Sequence, residues 1–254
     1  MILESRLIPA VKADAPTLVF LHEGLGSLGL WRDFPQRLAE RTGYSALVYS
    51  RFGYGQSPVL ASARPAEYMR DEALVVLPQL FDEYGLRARE TILVGHSDGA
   101  TIALIFAGSL PESQQPQRII VEAPHLFVEP ESIDGIRAAR VAFESGDLRE
   151  RMAKHHRDVD ATFYGWNDVW LSNAFSDMNI EPDCARIAVP ILAIQGLADA
   201  YGTLTQLDRL QQLARGPVTR CEIPGCGHSP HREKPAETLE AMVDFLTVAA
   251  RNAR

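Results

Sequence analysis

The sequence predicts an α/β domain with a mostly parallel central sheet flanked by helices. Short apolar runs rich in Val, Ile and Leu alternate along the chain with longer amphipathic segments. The short runs are continuously apolar, which is typical of strands that helices cover on both faces. Alternation of strands and helices implies a parallel sheet with right-handed crossover connections.

Six runs bounded by turn residues are the predicted strands. They are residues 17–22, 45–50, 91–96, 118–123, 189–196 and 218–225. The predicted helices have apolar residues at helical spacing. They are residues 30–42, 66–84, 98–109, 203–214 and 235–250. Pro78 predicts a kink in the second helix, because proline lacks the N–H that a helix interior needs.

Residues 125–186 break this alternation. They contain no convincing strand, but they hold helical stretches and the aromatic patch "TFYGWNDVWLSNAF". Such a length is too great for a simple connection. We therefore expect a helical cap at 125–186, inserted over the carboxyl edge of a core domain formed by 1–124 and 187–254.

Composition narrows the class of partner. The 254 residues carry a formal net charge of −8, whereas nucleic-acid binding needs a basic face. No run has the eighteen or more apolar residues that span a membrane, and the first twenty residues lack the apolar core of a signal peptide. Three cysteines without a C-x-x-C motif favour neither a disulfide nor a thiolate metal site. We expect a cytoplasmic protein with a small-molecule partner, rather than nucleic acid or a membrane.

Ser97 is the candidate nucleophile. It lies in "VGHSDGAT", between an apolar strand and a predicted helix. Such a strand–turn–helix setting distinguishes a nucleophile elbow from a chance G-x-S-x-G match. The sharp turn requires small residues two positions to either side, here Gly95 and Gly99.

Four further segments of the chain support the interpretation of this motif. "LVFLHEGLGS", "YSRFGYGQS", "QGLADAYGT" and "IPGCGHSPHREKPAETLEAMVDFL" follow one another along residues 17–250. With the elbow, they resemble the segments of α/β-hydrolase-fold proteins, in particular the capped branch with a serine nucleophile. The resemblance implies an α/β-hydrolase fold with a cap, and neither a metal ion nor an organic cofactor.

The resemblance implies a Ser97–His228–Asp199 triad. An unassisted hydroxyl is a weak nucleophile, so His228 would accept its proton and later return it to the leaving group. Asp199 would hold the imidazole tautomer and stabilise the imidazolium. Glu122 is an alternative acid because it ends the preceding strand, although Asp199 fits the Gly-x-x-Asp setting better.

An oxyanion also needs preorganised donors. The N–H of Asp98 is one candidate, and Gly24 or Leu25 supplies the second. Glu23 and Asp98 depart from the family pattern, because each places a carboxylate beside this site. We expect both carboxylates to turn away or to pair with a base such as Arg51, and substrates with a carboxylate near the scissile bond to be disfavoured.

Other side chains receive weaker interpretations. Trp166, Trp170 and Phe163 are candidates for an apolar substrate pocket in the cap. His22 and His96 are expected to shape loops, and a pairing of His228 with His231 on a metal is disfavoured. His155 and His156 are expected on a solvated helix face, from which one could reach the pocket.

The predicted activity is hydrolysis of a small ester-like or acyl substrate through an acyl-enzyme. Ser97 disfavours the dehalogenase and epoxide-hydrolase branches, which use a carboxylate nucleophile. Three alternatives stay open at this point. They are hydrolysis of a carbon–carbon bond in a diketone, acyl transfer to an acceptor other than water, and a ligand receptor that keeps the triad but hardly turns over.

Overall fold

The central feature is a seven-stranded sheet. A computed structural model describes residues 3–60 and 62–252. The strand order is β1-β3-β2-β4-β5-β6-β7, and β1 alone runs antiparallel to its neighbour. The strands are β1 (Ser5–Ile8), β2 (Thr17–Leu21), β3 (Ser45–Tyr49), β4 (Thr91–His96), β5 (Arg118–Glu122), β6 (Ile191–Gly196) and β7 (Val218–Ile223). The predicted mostly parallel sheet is confirmed.

Helices cover both faces of this sheet. They are α1 (Phe34–Thr42), α2 (Tyr68–Asp71), α3 (Leu77–Tyr84), α4 (Asp98–Ser109), α5 (Pro130–Ser145), α6 (Leu148–Ala153), α7 (Val159–Trp170), α8 (Glu181–Cys184), α9 (Thr205–Leu213), α10 (Pro230–Glu233) and α11 (Pro235–Asn252). Alternate strand residues point to opposite faces. Val19 therefore packs with α3 and α4 in one apolar cluster, whereas Phe20 packs with α1 and α11 in the other.

Two elements differ from the sequence prediction. Strand β1 was not predicted, because its residues "SRLI" mix polar with apolar side chains and two of the four are exposed at the sheet edge. The predicted helix at 66–84 is divided by a π-helical turn at Glu72–Val76, immediately before Pro78. Such turns interrupt regular helical hydrogen bonding, which Pro78 cannot continue through its own nitrogen.

Residues 125–186 contain helices α5 to α8 and contribute no strand to the sheet. One isolated bridge joins Phe127 to Asn179. Helix α8 packs on core helix α4, where a Cβ at Gly108 would lie 2.2 Å from the carbonyl oxygen of Asp183. The division into core and cap stays a prediction.

The helices of the described residues are also too short or too polar to cross a membrane. All three cysteines are free, with Cys184 and Cys226 buried and Cys221 partly exposed.

Candidate active site

Ser97 occupies a strained turn at the carboxyl end of β4. Its φ of 52° and ψ of −117° are costly for a residue that carries a Cβ. A Cβ at Gly95 would lie 2.4 Å from the carbonyl oxygen of Gly99, and one at Gly99 would lie 2.0 Å from that of Leu21. Both positions therefore require glycine, which is the steric pattern expected of a nucleophile elbow.

A chain of hydrogen bonds joins Ser97, His228 and Asp199. Ser97 Oγ lies 2.9 Å from His228 Nε2, and His228 Nδ1 lies 2.9 Å from each carboxylate oxygen of Asp199. The imidazole is 17% exposed, whereas the Asp199 carboxylate is 1% exposed. The structure thus brings together all three residues of the predicted triad, with the histidine in reach of a ligand.

Asp199 is held as a carboxylate by several donors. Gln195 Nε2 lies 2.6 Å from Oδ2, and the N–H of Tyr201 donates to Oδ1 at 2.8 Å. Burial raises the pKa of Asp199, but the hydrogen bond and charge of His228 outweigh it and leave this pKa below the ordinary value. The ionised acid can therefore fix the Nδ1–H tautomer of His228.

Glu122, the alternative acid, has a different partner. Its Oε2 accepts from the backbone N–H of His231 at 2.9 Å and lies 3.0 Å from His231 Nδ1. Both side chains are almost fully buried. Glu122 is therefore engaged with another imidazole and does not contact His228.

The loop at 22–26 is anchored from two sides. Arg51 Nη2 donates to the carbonyl oxygen of Glu23 at 2.8 Å, and the N–H of Gly26 donates to the same oxygen at 3.0 Å. A Cβ at Gly24 would lie 2.1 Å from Trp166 Nε1, so the indole packs directly on this glycine. The loop carrying the predicted donors Gly24 and Leu25 is consequently pressed between Arg51 and the helical insertion.

His156 contradicts the expectation of a solvated helix face. It is 5% exposed, its Nδ1 accepts from the N–H of Gly55 at 3.0 Å, and its Nε2 lies 3.0 Å from the carbonyl oxygen of Leu25. Helix α6 ends at Ala153, so helical periodicity no longer applies at His156. The ring instead ties the insertion to the loop beside Ser97.

Both unexpected carboxylates have partners of opposite charge. Asp98 Oδ2 accepts from the hydroxyl of Tyr68 at 2.5 Å and lies 3.7 Å from Arg51 Nη2. Glu23 Oε2 lies 3.4 Å from His96 Nδ1. These pairings weaken the physical basis for expecting discrimination against a carboxylate near the scissile bond.

The Glu23–His96 pair is a buried ion pair. Burial lowers the pKa of His96, but the nearby carboxylate of Glu23 outweighs it and raises this pKa to about 9. Nε2 of the imidazolium then donates to the carbonyl oxygen of His228, 2.6 Å away. His96 therefore supports the backbone of His228, which extends the loop-shaping role expected from the sequence.

A cavity of about 210 Å³ opens at Ser97. The predicted residues that line it are Ser97, His228, Gly24, Leu25, Asp98, Trp166 and Trp170. Phe163 is not among them. Its ring is fully buried and stacks on Phe143 with centroids 3.8 Å apart, so the prediction of Phe163 as a pocket residue is wrong.

Sequence reasoning missed two aromatic side chains of this cavity. Burial lowers the pKa of His125 to about 3, and its ring lies 5.8 Å from that of His228. The Tyr201 ring lies 4.6 Å from that of His228. The Asp-x-Tyr spacing offered a signal for Tyr201, since Asp often accepts the N–H two residues later. His125 had no comparable signal.

The comparisons with known proteins show the family of the chain. The family model described as "Alpha/beta hydrolase family" matches residues 18–241. The chain belongs to the alpha/beta hydrolase family. Membership supports a hydrolase activity, without specifying the bond that is cleaved.

Individual relatives are more distant. The chain is 36% identical to epoxide hydrolase A of Mycobacterium tuberculosis over 80 residues, 31% of this chain and 25% of that protein. It is 23% identical to the sn-1-specific diacylglycerol lipase ABHD11 of Mus musculus, over 92% of this chain and 82% of that protein. The proline iminopeptidase of Mycobacterium smegmatis superposes with a TM-score of 0.74 at 18% identity, covering 98% and 96% of the two chains. At that identity, the structural likeness shows the fold alone.

Proposed function

We propose that the protein is a serine hydrolase that cleaves a small ester-like or acyl substrate through an acyl-enzyme. The observation that carries the proposal is the hydrogen-bonded chain Ser97–His228–Asp199, which opens on a cavity that Gly24, Leu25 and Asp98 also line. The alternative acid Glu122 is occupied by His231. A nucleophile, a base and an orienting acid are therefore each supplied by one residue.

The first half-reaction forms the acyl-enzyme. Ser97 Oγ attacks the carbonyl carbon while its proton passes to His228 Nε2. The resulting oxyanion accepts from the N–H of Asp98, which lies in the first turn of α4 where no intrahelical acceptor exists for it, and from the N–H of Gly24 or Leu25. When the carbon–leaving group bond breaks, His228 returns the proton to the departing alcohol, thiol or amine.

The second half-reaction repeats these steps with water as the nucleophile. His228 takes a proton from water, the hydroxyl oxygen adds to the acyl carbon, and Ser97 leaves with the proton from His228. The acid product then departs. Trp166, Trp170 and Ile136 line the cavity and form the apolar contact surface for the acyl group.

An epoxide-hydrolase mechanism does not fit the same site. It requires a carboxylate nucleophile, and Asp98 is the acid nearest in sequence to Ser97. The Asp98 side chain is 1% exposed, accepts from Tyr68 and pairs with Arg51. Its carboxylate is thus almost fully buried and already engaged, which favours Ser97 as the nucleophile and the lipase-like rather than the epoxide-hydrolase relative as the guide to chemistry.

The test combines turnover with active-site labelling. We expect the wild-type protein to hydrolyse p-nitrophenyl butyrate and to be labelled by a fluorophosphonate at Ser97. Ser97→Ala should abolish labelling and lower kcat on the order of 10⁴–10⁶-fold. Ser229→Ala is the matched control, because Ser229 lines the same cavity while the hydroxyl bonded to His228 Nε2 is that of Ser97, and the activity of this variant should stay within a few-fold.

Each other outcome selects a different function. Activity that survives Ser97→Ala rejects the proposal. Labelling without turnover of any ester favours a receptor, and selective turnover of diketones favours carbon–carbon hydrolysis. A cytoplasmic location and the core–cap division are part of the proposal and rest on the sequence.

A further inference from the structure

A second cavity adjoins the candidate active site and is strongly basic. Its volume is about 360 Å³, and it shares Glu23, Leu25 and Arg232 with the cavity at Ser97. Its other charged lining residues are Arg32, Arg151 and Lys154. We call this cavity the basic groove. Its apolar lining residues are Leu30, Leu148 and Met152.

Three of its four cations have no partner. Within the part of the chain that the structure describes, the side chains of Arg32, Lys154 and Arg232 make no hydrogen bond or ion pair, whereas Arg151 lies 3.4 Å from Asp147. The chain as a whole carries a net charge of −8. Four cations thus line one cavity, and three of them have no carboxylate that would compete with a bound anion.

The pKa of the neighbouring His155 is consistent with a positively charged groove. His155 also lines the groove, and its pKa is lowered by burial and then by the charges of Arg232, Arg32 and Lys154. Among the described lining residues, the one carboxylate is Glu23. A Cβ at Gly26 would lie 2.3 Å from Glu23 Oε2, so this oxygen faces inwards, where His96 neutralises it. The net charge offered to a ligand is consequently positive.

We propose that the basic groove binds a phosphate group of the substrate, on the part of the molecule that extends beyond the scissile bond at Ser97. This inference rests on the proposed function and names its substrate class: an acyl ester or thioester with a phosphate-bearing leaving group. Guanidinium groups bind phosphate through charge-assisted and often bidentate hydrogen bonds, and several cations match a group with more than one negative charge. Hydrolysis adds water across the acyl bond and releases the acid and the phosphorylated alcohol or thiol.

The experiment uses two matched pairs of substrates. Butyryl-4′-phosphopantetheine is compared with butyryl-pantetheine, and butyryl-glycerol 3-phosphate with monobutyrin. Within each pair the acyl group and bond type are the same, so the ratio of kcat/KM values isolates the phosphate. We expect the wild-type ratio to be about tenfold or more in at least one pair, since each charge-assisted contact contributes roughly this factor. The pair that responds identifies a coenzyme or a lipid-type leaving group.

The decisive variant is Arg32→Gln/Lys154→Gln/Arg232→Gln. The ratio should fall to within about twofold of one, and high salt should lower the wild-type ratio in the same direction. The control Arg6→Gln/Arg37→Gln/Arg89→Gln removes the same charge from residues that line neither cavity, and it should keep the ratio. A wild-type ratio near one in both pairs, or a ratio that survives in the groove variant, overturns the proposal.

A binding measurement separates this inference from the proposed function. Calorimetric titration of Ser97→Ala with coenzyme A and with glycerol 3-phosphate requires no turnover. We expect one of them to bind and its affinity to fall at least tenfold when the three groove substitutions are added. If neither compound binds, or if binding is equal with and without those substitutions, the proposal that the groove binds phosphate is overturned even if Ser97 proves catalytic. Retained hydrolysis of the neutral thioester by Ser97→Ala would reject the proposed function alone.

Discussion

Two carboxylate–histidine pairs lie side by side in this protein and differ in what surrounds them. Asp199 follows β6 and contacts His228, while Glu122 ends β5 and contacts His231. The His96 ring lies between them, 5.2 Å from the His228 ring and 5.1 Å from the His231 ring. Both pairs consist of a buried acid hydrogen-bonded to Nδ1 of an imidazole.

The two pairs differ in what each imidazole contacts on the side away from its carboxylate. His228 presents Nε2 to the hydroxyl of Ser97 and is partly exposed to the cavity. The His231 side chain is 2% exposed and packs against Trp31, with ring centroids 4.4 Å apart, and against Phe34. A carboxylate–histidine pair is therefore not by itself a sign of catalysis. The comparison assigns proton transfer to the pair with a nucleophile and access, and structural support to the other.

The largest expected effect tests the first pair. His228→Gln should lower kcat about 10⁴-fold, because it removes the base for Ser97, and should change the free energy of unfolding by less than about 1 kcal/mol. Hydrolysis of p-nitrophenyl butyrate and urea unfolding measure the two quantities. A kcat within tenfold of the wild-type value would remove the difference drawn between the pairs.

The second pair should respond in the opposite way. His231→Gln should keep kcat within about fivefold but lower the free energy of unfolding on the order of 3 kcal/mol, because the buried Glu122 carboxylate loses its imidazole partner. The double variant Glu122→Gln/His231→Gln, measured by the same urea titration, should recover part of that loss. A thousandfold loss of kcat at normal stability would show that this pair participates in the chemistry.

Sequence patterns predicted the elements and residues that local rules determine. Glycine spacing identified Ser97, and the segments around Asp199 and His228 identified their partners, whose geometry the structure then supports. The sequence did not predict strand β1, because an edge strand needs no continuous apolar run. The partners of Glu23, Asp98 and His156 depend on which loops come into contact in the folded protein. Residue spacing along the sequence does not predict those contacts.

Phe163 illustrates the same limit on a helix. It precedes Trp166 and Trp170 by three and seven residues, so all three fall on one stripe of α7. Periodicity identifies the stripe but not the point along it where packing ends and the cavity begins. The structure places that point between Phe163, stacked on Phe143, and Trp166, which contacts Gly24.

The ion pair of Glu23 with His96 gives a pH-dependent prediction. The folded pKa of His96 is about 9, above its ordinary value of 6.5. The stabilisation of the folded protein by this pair is therefore complete below pH 6.5, falls as the pH rises and is lost above about 9. Glu23→Gln should lower the free energy of unfolding by roughly 2–3 kcal/mol at pH 7 and by clearly less at pH 10. Urea titrations at both pH values measure this, with exposed Glu131→Gln as control, and an equal loss at the two would contradict it.

The smallest expected effect on stability comes from His125. This buried histidine extends the comparison, because it contacts no carboxylate among the described residues. Burial holds its folded pKa at about 3, below the ordinary 6.5, so the unfolded chain takes up a proton first as the pH falls. Stability is consequently lost between pH 6.5 and 3, the reverse of His96. His125→Gln should reduce the loss of unfolding free energy between pH 7 and 4 by about 1–3 kcal/mol, whereas His155→Gln, with a half-buried ring that solvent can reach, should reduce it less. Parallel urea titrations decide this, and identical pH slopes in wild type and His125→Gln would mean that the ring can accept a proton in the folded cavity.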